Sequence, residues 1–412
     1  TNRAAWRYTP GDAIKLSASD YGADELVMRI LKVDYGEPRR PEIKLSLTQD
    51  IFSFAQPIFE EPADTAFEPL EQAPAPAEFT KVVTLNYFLA GLLLDSTSVL
   101  DVDYPDVFTM VLASTANDDT QEIELVGELP DAAGNASLQL LGSRELTARG
   151  TLQADFTQEP STTAPDFGSL TLGEGPVAGG FGLIGPEEGT EADMELVLFQ
   201  SFDGVDWTIA RGVLDTVPRA WPAGTPIRFI SEDTFVEDDE TRSAAETVTY
   251  KVLTRTSLGL LNGADAPDIT YTTSERPHLP HRPANVAVNG LQWGIVDAAG
   301  LATIPVTWAN RNRVTEDSQV LDWNAASVTP EVGQRTLIKI VDPSTRAVIN
   351  EISVAEGVTS HDLMPADFGS ATLTLVQVYA FRGGFESLQA YEQLVLLAGG
   401  YGRNYGYTYG GI

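Results

Sequence analysis

The sequence contains no cysteine, only three histidines, and far fewer basic than acidic residues. Without cysteine, neither disulfides nor thiolate metal sites can hold the fold, and thiol catalysis is excluded. With only His278, His281 and His361, a histidine-based acid–base site has few possible members. Lys and Arg total 26 against 59 Asp and Glu, so the net charge is 26 − 59 = −33. Such a chain repels a phosphate backbone, and direct nucleic-acid binding is not expected. The same charge favours solubility in a crowded array or a saline medium.

Long apolar runs are also missing. The longest, "YFLAGLLL" at 87–94, is about half of what a membrane-spanning helix requires, so no membrane insertion is expected. The N-terminus shows no basic, apolar signal pattern. The chain begins "TNRAAWRYTPGD" without Met, and a start inside a longer polypeptide is the expectation.

What is present points to β structure. At 412 residues, with 43% hydrophobic and 9% aromatic residues, the chain can fill several cores. The reading is a mainly β, multidomain protein of antiparallel β domains, with one small α+β segment and a terminal sandwich. In residues 1–54, "PGD" at 10–12 marks a turn before "AIKLS". In "IKLSLT", Ile43, Leu45 and Leu47 alternate with Lys44, Ser46 and Thr48, the period of a half-buried strand. The run "ELVMRILKVD" is joined to it by the Gly/Pro-rich "YGEPRRPE".

Residues 55–80 hold five prolines and six carboxylates with no Lys or Arg. They should run extended, as a spacer or as a strap laying Ile58, Phe59, Phe67 and Phe79 across a neighbour. Residues 81–165 open with "VVTLNYFLAGLLLDSTSVL", the best helix candidate, and continue in strands, an α+β segment. Residues 166–282 are Gly/Pro-punctuated strands, a second β domain, with Asp203-Gly204 signalling a two-residue type I′ hairpin. The three prolines of "RPHLPHRPANVAV" mark a boundary, and 283–398 shows strands at sandwich spacing. Residues 399–412 are a Gly/Tyr tail expected to be flexible.

Candidate chemistry is weak at each place it could arise. "HLPH" sits on a proline-broken segment without the helical geometry that aims two imidazoles at one metal. The acidic clusters "DVDYPD" (101–106) and "EDTFVEDDE" (232–240) lack the oxygen spacing of a calcium loop. "GEGPVAGGFG" (173–182) has no Lys-Ser/Thr ending and no helix behind it to receive a phosphate. A glycosidase needs two carboxylates roughly 5 to 9 Å apart, which abundant acid alone cannot single out. No catalytic, cofactor-binding or metal residue is therefore assigned, no cofactor is expected, and the chain is not expected to be an enzyme. In "ARGVLDTVPRAWPAGTPIRF" (210–229), Asp215 and Thr216 are expected to shape a turn by local hydrogen bonds, with Trp221 and Phe229 packing a domain edge.

Four stretches, in order, resemble the hub or tail-tip component of long-tailed bacteriophages and gene-transfer particles: 9–54, 210–229, 276–290 ("RPHLPHRPANVAVNG") and 306–313 ("VTWANRNR"). The first resembles the closing strands of a hub β domain. The second is similar to a "GRG-LDTVP-AH-AG" turn, with Trp221 in place of the His. The last two resemble the linker and opening strand of a fibronectin type III-like module, in which Trp308 fills the core and Val376, Val378 and Ala380 face inward. The resemblance implies a virion structural protein, homotrimeric about the tail axis, contacting other tail proteins and a host surface receptor. Two other readings remain, a secreted carbohydrate-binding or carbohydrate-active β protein and a cell-surface adhesin.

Overall fold

A computed structural model describes residues 6–21, 23–36, 42–50, 72–93, 103–130, 136–231, 234, 236–317 and 319–397. The chain is mainly β, in antiparallel sheets, and divides into two units, Thr1–Pro69 and Leu70–Ile412. Expectations for Ile58, Phe59, Phe67, residues 94–100 and the 399–412 tail lie outside the described residues.

The first unit is a three-stranded antiparallel sheet of Ala13–Ala18, Ala23–Asp34 and Lys44–Gln49. The PGD turn forms as read. Thr9 N donates to the Asp12 carboxylate at 2.8 Å, and Gly11 takes φ +102°, where a side chain would be strained. Alternation puts Ile14, Leu16, Met28, Ile30, Leu45 and Leu47 on one face.

In the second unit, three β layers precede the C-terminal module. The middle layer is Phe79–Thr84, Thr109–Ser114 and Val236–Glu237. Its central strand, Thr109–Ser114, carries the apolar run MVLA because both of its faces are buried. Val83, Met110 and Leu112 pack on one side with Phe181, Leu183, Leu196 and Ile230. Val82, Val111 and Ala113 pack on the other with Leu125, Leu141, Tyr250 and Val252. One outer layer has the order Trp207–Ala210, Glu195–Phe202, Phe181–Ile184, Pro226–Ile230 and Arg149–Thr151. The other joins Gly259–Leu260, Thr247–Thr256, Glu122–Pro130 and Ala136–Arg144, with Ile269–Thr272 also on Thr247–Thr256.

Strand pairing thus runs across the boundary expected at 165/166. Val236–Glu237 and Thr247–Thr256 pair with strands from the earlier segment, whereas Arg149–Thr151 pairs with Pro226–Ile230 from the later one. The two expected domains are interleaved. Periodicity marks a strand but not its partner, so such pairing leaves no local signal.

Two local readings also change. Among the described residues the helix is Tyr87–Leu93, and the residues "VVT" before it complete the strand Phe79–Thr84, which includes Phe79 from the expected strap. Asn86 sets the helix start, since its Oδ1 accepts Leu89 N at 2.9 Å. The Asp203-Gly204 hairpin forms, but Phe202 pairs with Trp207, leaving a four-residue loop in place of a two-residue one. Asp203 Oδ1 accepts from Val205 N and Asp206 N, both at 2.8 Å, and this Asx cap stabilises the longer loop.

The C-terminal module is a two-sheet β sandwich. One sheet is Ala284–Val288, Ile304–Ala309 and Ser360–Leu363. The other is Ile295–Asp297, Tyr391–Leu396, Leu373–Arg382, Arg335–Val341 and Val348–Val354. Val286, Val306, Trp308, Ile338, Ile340, Val376 and Val378 meet between them. Trp323 is fully buried there, stacked on Tyr391 with centroids 6.0 Å apart and 5.7 Å from Trp293. Sequence reading singled out Trp308 and passed over Trp323, which lies outside any strand.

Candidate functional site

The loop after Trp207–Ala210 carries the densest buried polar network among the described residues. Arg211 and Glu195 both have fully buried side chains. The guanidinium grips the carboxylate bidentately, Nε to Oε1 at 2.9 Å and Nη2 to Oε2 at 2.7 Å. Glu195 also accepts Gly212 N at 3.1 Å, Arg219 N at 3.0 Å and Trp221 Nε1 at 2.8 Å. Arg211 donates further to the carbonyls of Thr157 and Arg219, and its guanidinium lies 3.8 Å from the Phe156 ring centroid. A charge removed from water is tolerated only when saturated in this way. Trp221, which stands where the resembling pattern has His, supplies an N–H to the carboxylate and packs with Phe156, Phe199 and Phe229. It fills a core, not an edge.

Four residues on, Asp215 accepts Arg276 Nε at 2.6 Å and Nη2 at 3.1 Å, and Asn86 Nδ2 at 3.2 Å. Burial alone would raise the Asp215 carboxyl. The Arg276 charge and its hydrogen bonds outweigh this and hold it below the ordinary value. The expected local turn role belongs to Thr216 alone: its Oγ1 donates to Val213 O at 3.0 Å and accepts Leu196 N at 3.1 Å. Asp215 instead makes long-range bonds to the helix start and to the 276–282 linker.

That linker adds a second arginine. Arg282 is fully buried, donates to the carbonyls of Thr216 and Gly212, and lies 5.0 Å from the Trp323 ring. Burial first, and then the nearby Arg311 charge, push its pKa down to about 9, so it remains charged at neutral pH. Arg311 in turn donates to the carbonyls of Asp322, Ala325 and Ala326. Gln389, from the sandwich, accepts Val217 N at 2.7 Å and donates to Met194 O at 2.6 Å. Val217 belongs to the sandwich core. The loop therefore fastens the five-stranded sheet, the helix start, the linker and the sandwich to one another.

The backbone there has little freedom. Gly212 has φ +51°, and a Cβ on it would sit 2.2 Å from Pro218 Cδ. Gly212→Ala is expected to cost at least about 1 kcal/mol in backbone strain alone, with the clash in addition, read as a lowered thermal midpoint.

Every oxygen of Glu195 and Asp215 faces a donor already in place. The histidines of "HLPH" part company: His278 Nε2 donates to Asp106 O at 2.7 Å, while His281 Nδ1 lies 3.4 Å from Glu316 Oε1. Burial lowers the His278 pKa. Among the described residues no cluster of three His, Asp or Glu could hold a metal ion. Of the acidic run 232–240, Asp238 is buried and bonded to Arg242 Nε and Tyr250 OH, each at 2.7 Å. Gly173, in the glycine-rich stretch, is needed for close approach, since a Cβ would meet Leu146 O at 2.4 Å. A surface groove is lined by Glu122, Arg144, Leu172 and Glu174, but Glu122 pairs with Arg255 and Glu174 with Ser231.

No family model matches the sequence, and no curated protein matches it. Among solved structures it is similar to the BSP domain of a biofilm-associated protein, at 13% identity over 61% of this chain and 29% of that one, TM-score 0.16. It is also similar to the FN1–FN3 domains of chicken CNTN1, at 11% identity over 78% of this chain and 100% of that one, TM-score 0.20. This chain thus spans less than a third of the first of these. Superposition this slight carries no weight for function, and the description of the sandwich rests on its own strand pairing.

Proposed function

We propose that this chain is a structural component of a phage or phage-like particle tail, at the hub or tail tip, acting in assembly, host attachment and genome delivery. Its partners on this reading are further copies of itself about the tail axis, other tail proteins and a host surface receptor. It works by holding geometry and turns over no substrate.

One observation supports this reading above others. Three of the four stretches that resemble tail-hub proteins, 210–229, 276–290 and 306–313, lie far apart in sequence yet meet in one buried junction through Asp215–Arg276, Arg282–Thr216 and Arg313–Pro277. A junction built from a buried ion pair and arginine–carbonyl hydrogen bonds suits modules that must keep a fixed mutual orientation under load.

The test is mass spectrometry of purified particles against the culture supernatant, with electron microscopy of antibody-labelled tails. The chain is expected in particles, at the tail end. Recovery only from the supernatant, with glycan binding or hydrolase activity, would replace this reading with the carbohydrate one.

A further inference from the structure

Two buried arginines of the junction have no carboxylate of their own. Glu195 closes on Arg211 and Asp215 on Arg276, each bidentately. Arg282 and Arg311, both fully buried, instead donate to backbone carbonyls. The charged group that acts most strongly on Arg282 is Arg311, another cation. Glu316 is the third buried carboxylate here and acts on both arginines. Its Oε1 lies 3.4 Å from His281 Nδ1, and its Oε2 meets no donor among the described residues. Glu191, which acts on Arg276, is balanced by the buried Lys81. Four enclosed guanidinium groups thus face three enclosed carboxylates, and any proton on His281 adds to the positive side.

Open donors accompany that excess. Arg282 Nη1, Arg311 Nε and Trp323 Nε1 are buried and meet no acceptor among the described residues. They belong to one cluster: the Arg282 guanidinium lies 5.0 Å from the Trp323 ring, and Arg311 Nη2 donates to Trp323 O at 3.4 Å. Water molecules would satisfy these N–H groups but leave the charge uncompensated, and an unpaired charge costs far more in the interior than an unpaired dipole. A small anion answers both. Each of the three side chains has one nitrogen left, which suits a one-atom acceptor better than an oxyanion whose several oxygens all need donors. The acidic surface opposes entry only weakly, because its field is screened within about 8–10 Å in salt solution, whereas attraction to two buried cations is several-fold stronger than in water.

We propose that Arg282, Arg311 and Trp323 form a buried site for one halide ion, chloride in ordinary salt, which completes the junction between the β layers and the sandwich. The site stands on the junction alone and is independent of where the protein works. In the test, chloride or bromide replaces gluconate, an anion too large to enter, at fixed ionic strength while the thermal midpoint of the full chain is followed. The midpoint is expected to rise on the order of 5 °C with halide about a hundredfold above its Kd, as for a ligand bound only by the folded state. Trp323→Phe keeps a ring against Tyr391 but removes the N–H, and should weaken halide binding roughly tenfold, the loss of one hydrogen bond to a charged group. Glu316→Gln deletes the competing carboxylate and should tighten it. Crystals grown in bromide should show an anomalous-scattering peak beside Arg282 and Arg311. Equal midpoints in gluconate and halide, with no bromide peak, overturn the site and leave water as what those donors hold. A halide effect of the same size in native protein and both variants places the ion elsewhere and overturns it too. If either variant fails to fold, the bromide peak in the native chain decides.

Discussion

Glu195→Gln is expected to destabilise the protein by about 3–5 kcal/mol, the usual consequence of leaving a buried charge without its partner. Arg211 would keep its full charge with a fully buried side chain. The new amide would also present N–H groups to donors, since Glu195 takes hydrogen bonds from Arg211, Gly212, Arg219 and Trp221. The thermal midpoint should fall on the order of 10 °C. Replacing the pair together, Glu195→Leu with Arg211→Met, separates two accounts. If the carboxylate only balances Arg211, the double variant regains most of the loss, as apolar replacements of buried ion pairs often do. If it also organises the loop, the amides of Gly212 and Arg219 and the Trp221 indole remain unpaired and the loss persists. The second outcome is expected. A midpoint unchanged in Glu195→Gln would show that the network contributes nothing.

Asp215→Ala carries the second large effect, again about 3–5 kcal/mol, but of a different kind. It strands Arg276 and frees Asn86 without touching either sheet, so the loss falls on the connection between modules. Calorimetry of the intact chain should show the sandwich transition separating from that of the preceding layers. A single transition at the wild-type temperature would remove Asp215 from the junction. The pH dependence follows from the same pair. The Asp215 carboxyl is held below its ordinary value of 3.8, so its folded form binds fewer protons than its unfolded form. The stability it contributes is complete above that ordinary value and is lost as pH falls through the lowered one. The midpoint difference between wild type and Asp215→Asn should therefore be constant from pH 7 to about 5 and shrink below about pH 4. A difference that grows on acidification would reverse the assignment.

What could be read from the sequence follows the range of the interaction that encodes it. Alternation in "IKLSLT", the PGD turn and the inward set Val376, Val378 and Ala380 are written within a few residues, and the structure carries all three. The Asp203 hairpin was legible as a hairpin but not in its length, because an Asx cap and a type I′ turn draw on the same residues. The helix was overextended because β-branched "VVT" and the apolar run behind it share one hydrophobic stretch, and only Asn86 separates them.

The junction shows the limit most clearly. Composition and the scarcity of His, Cys and nearby bases were enough to read Asp215 as structural. They could not say which cation it faces, since Arg276 lies 61 positions away, nor that Glu195 is the anion for Arg211. By itself the sequence determined the β class and the sandwich, because period and turn chemistry act locally. Only the tertiary structure decided that the two middle β segments interleave into three layers and that one loop fastens them to the sandwich. Strand partners and buried ion pairs are selected by what the folded chain brings together, and their cost in desolvation is met only there.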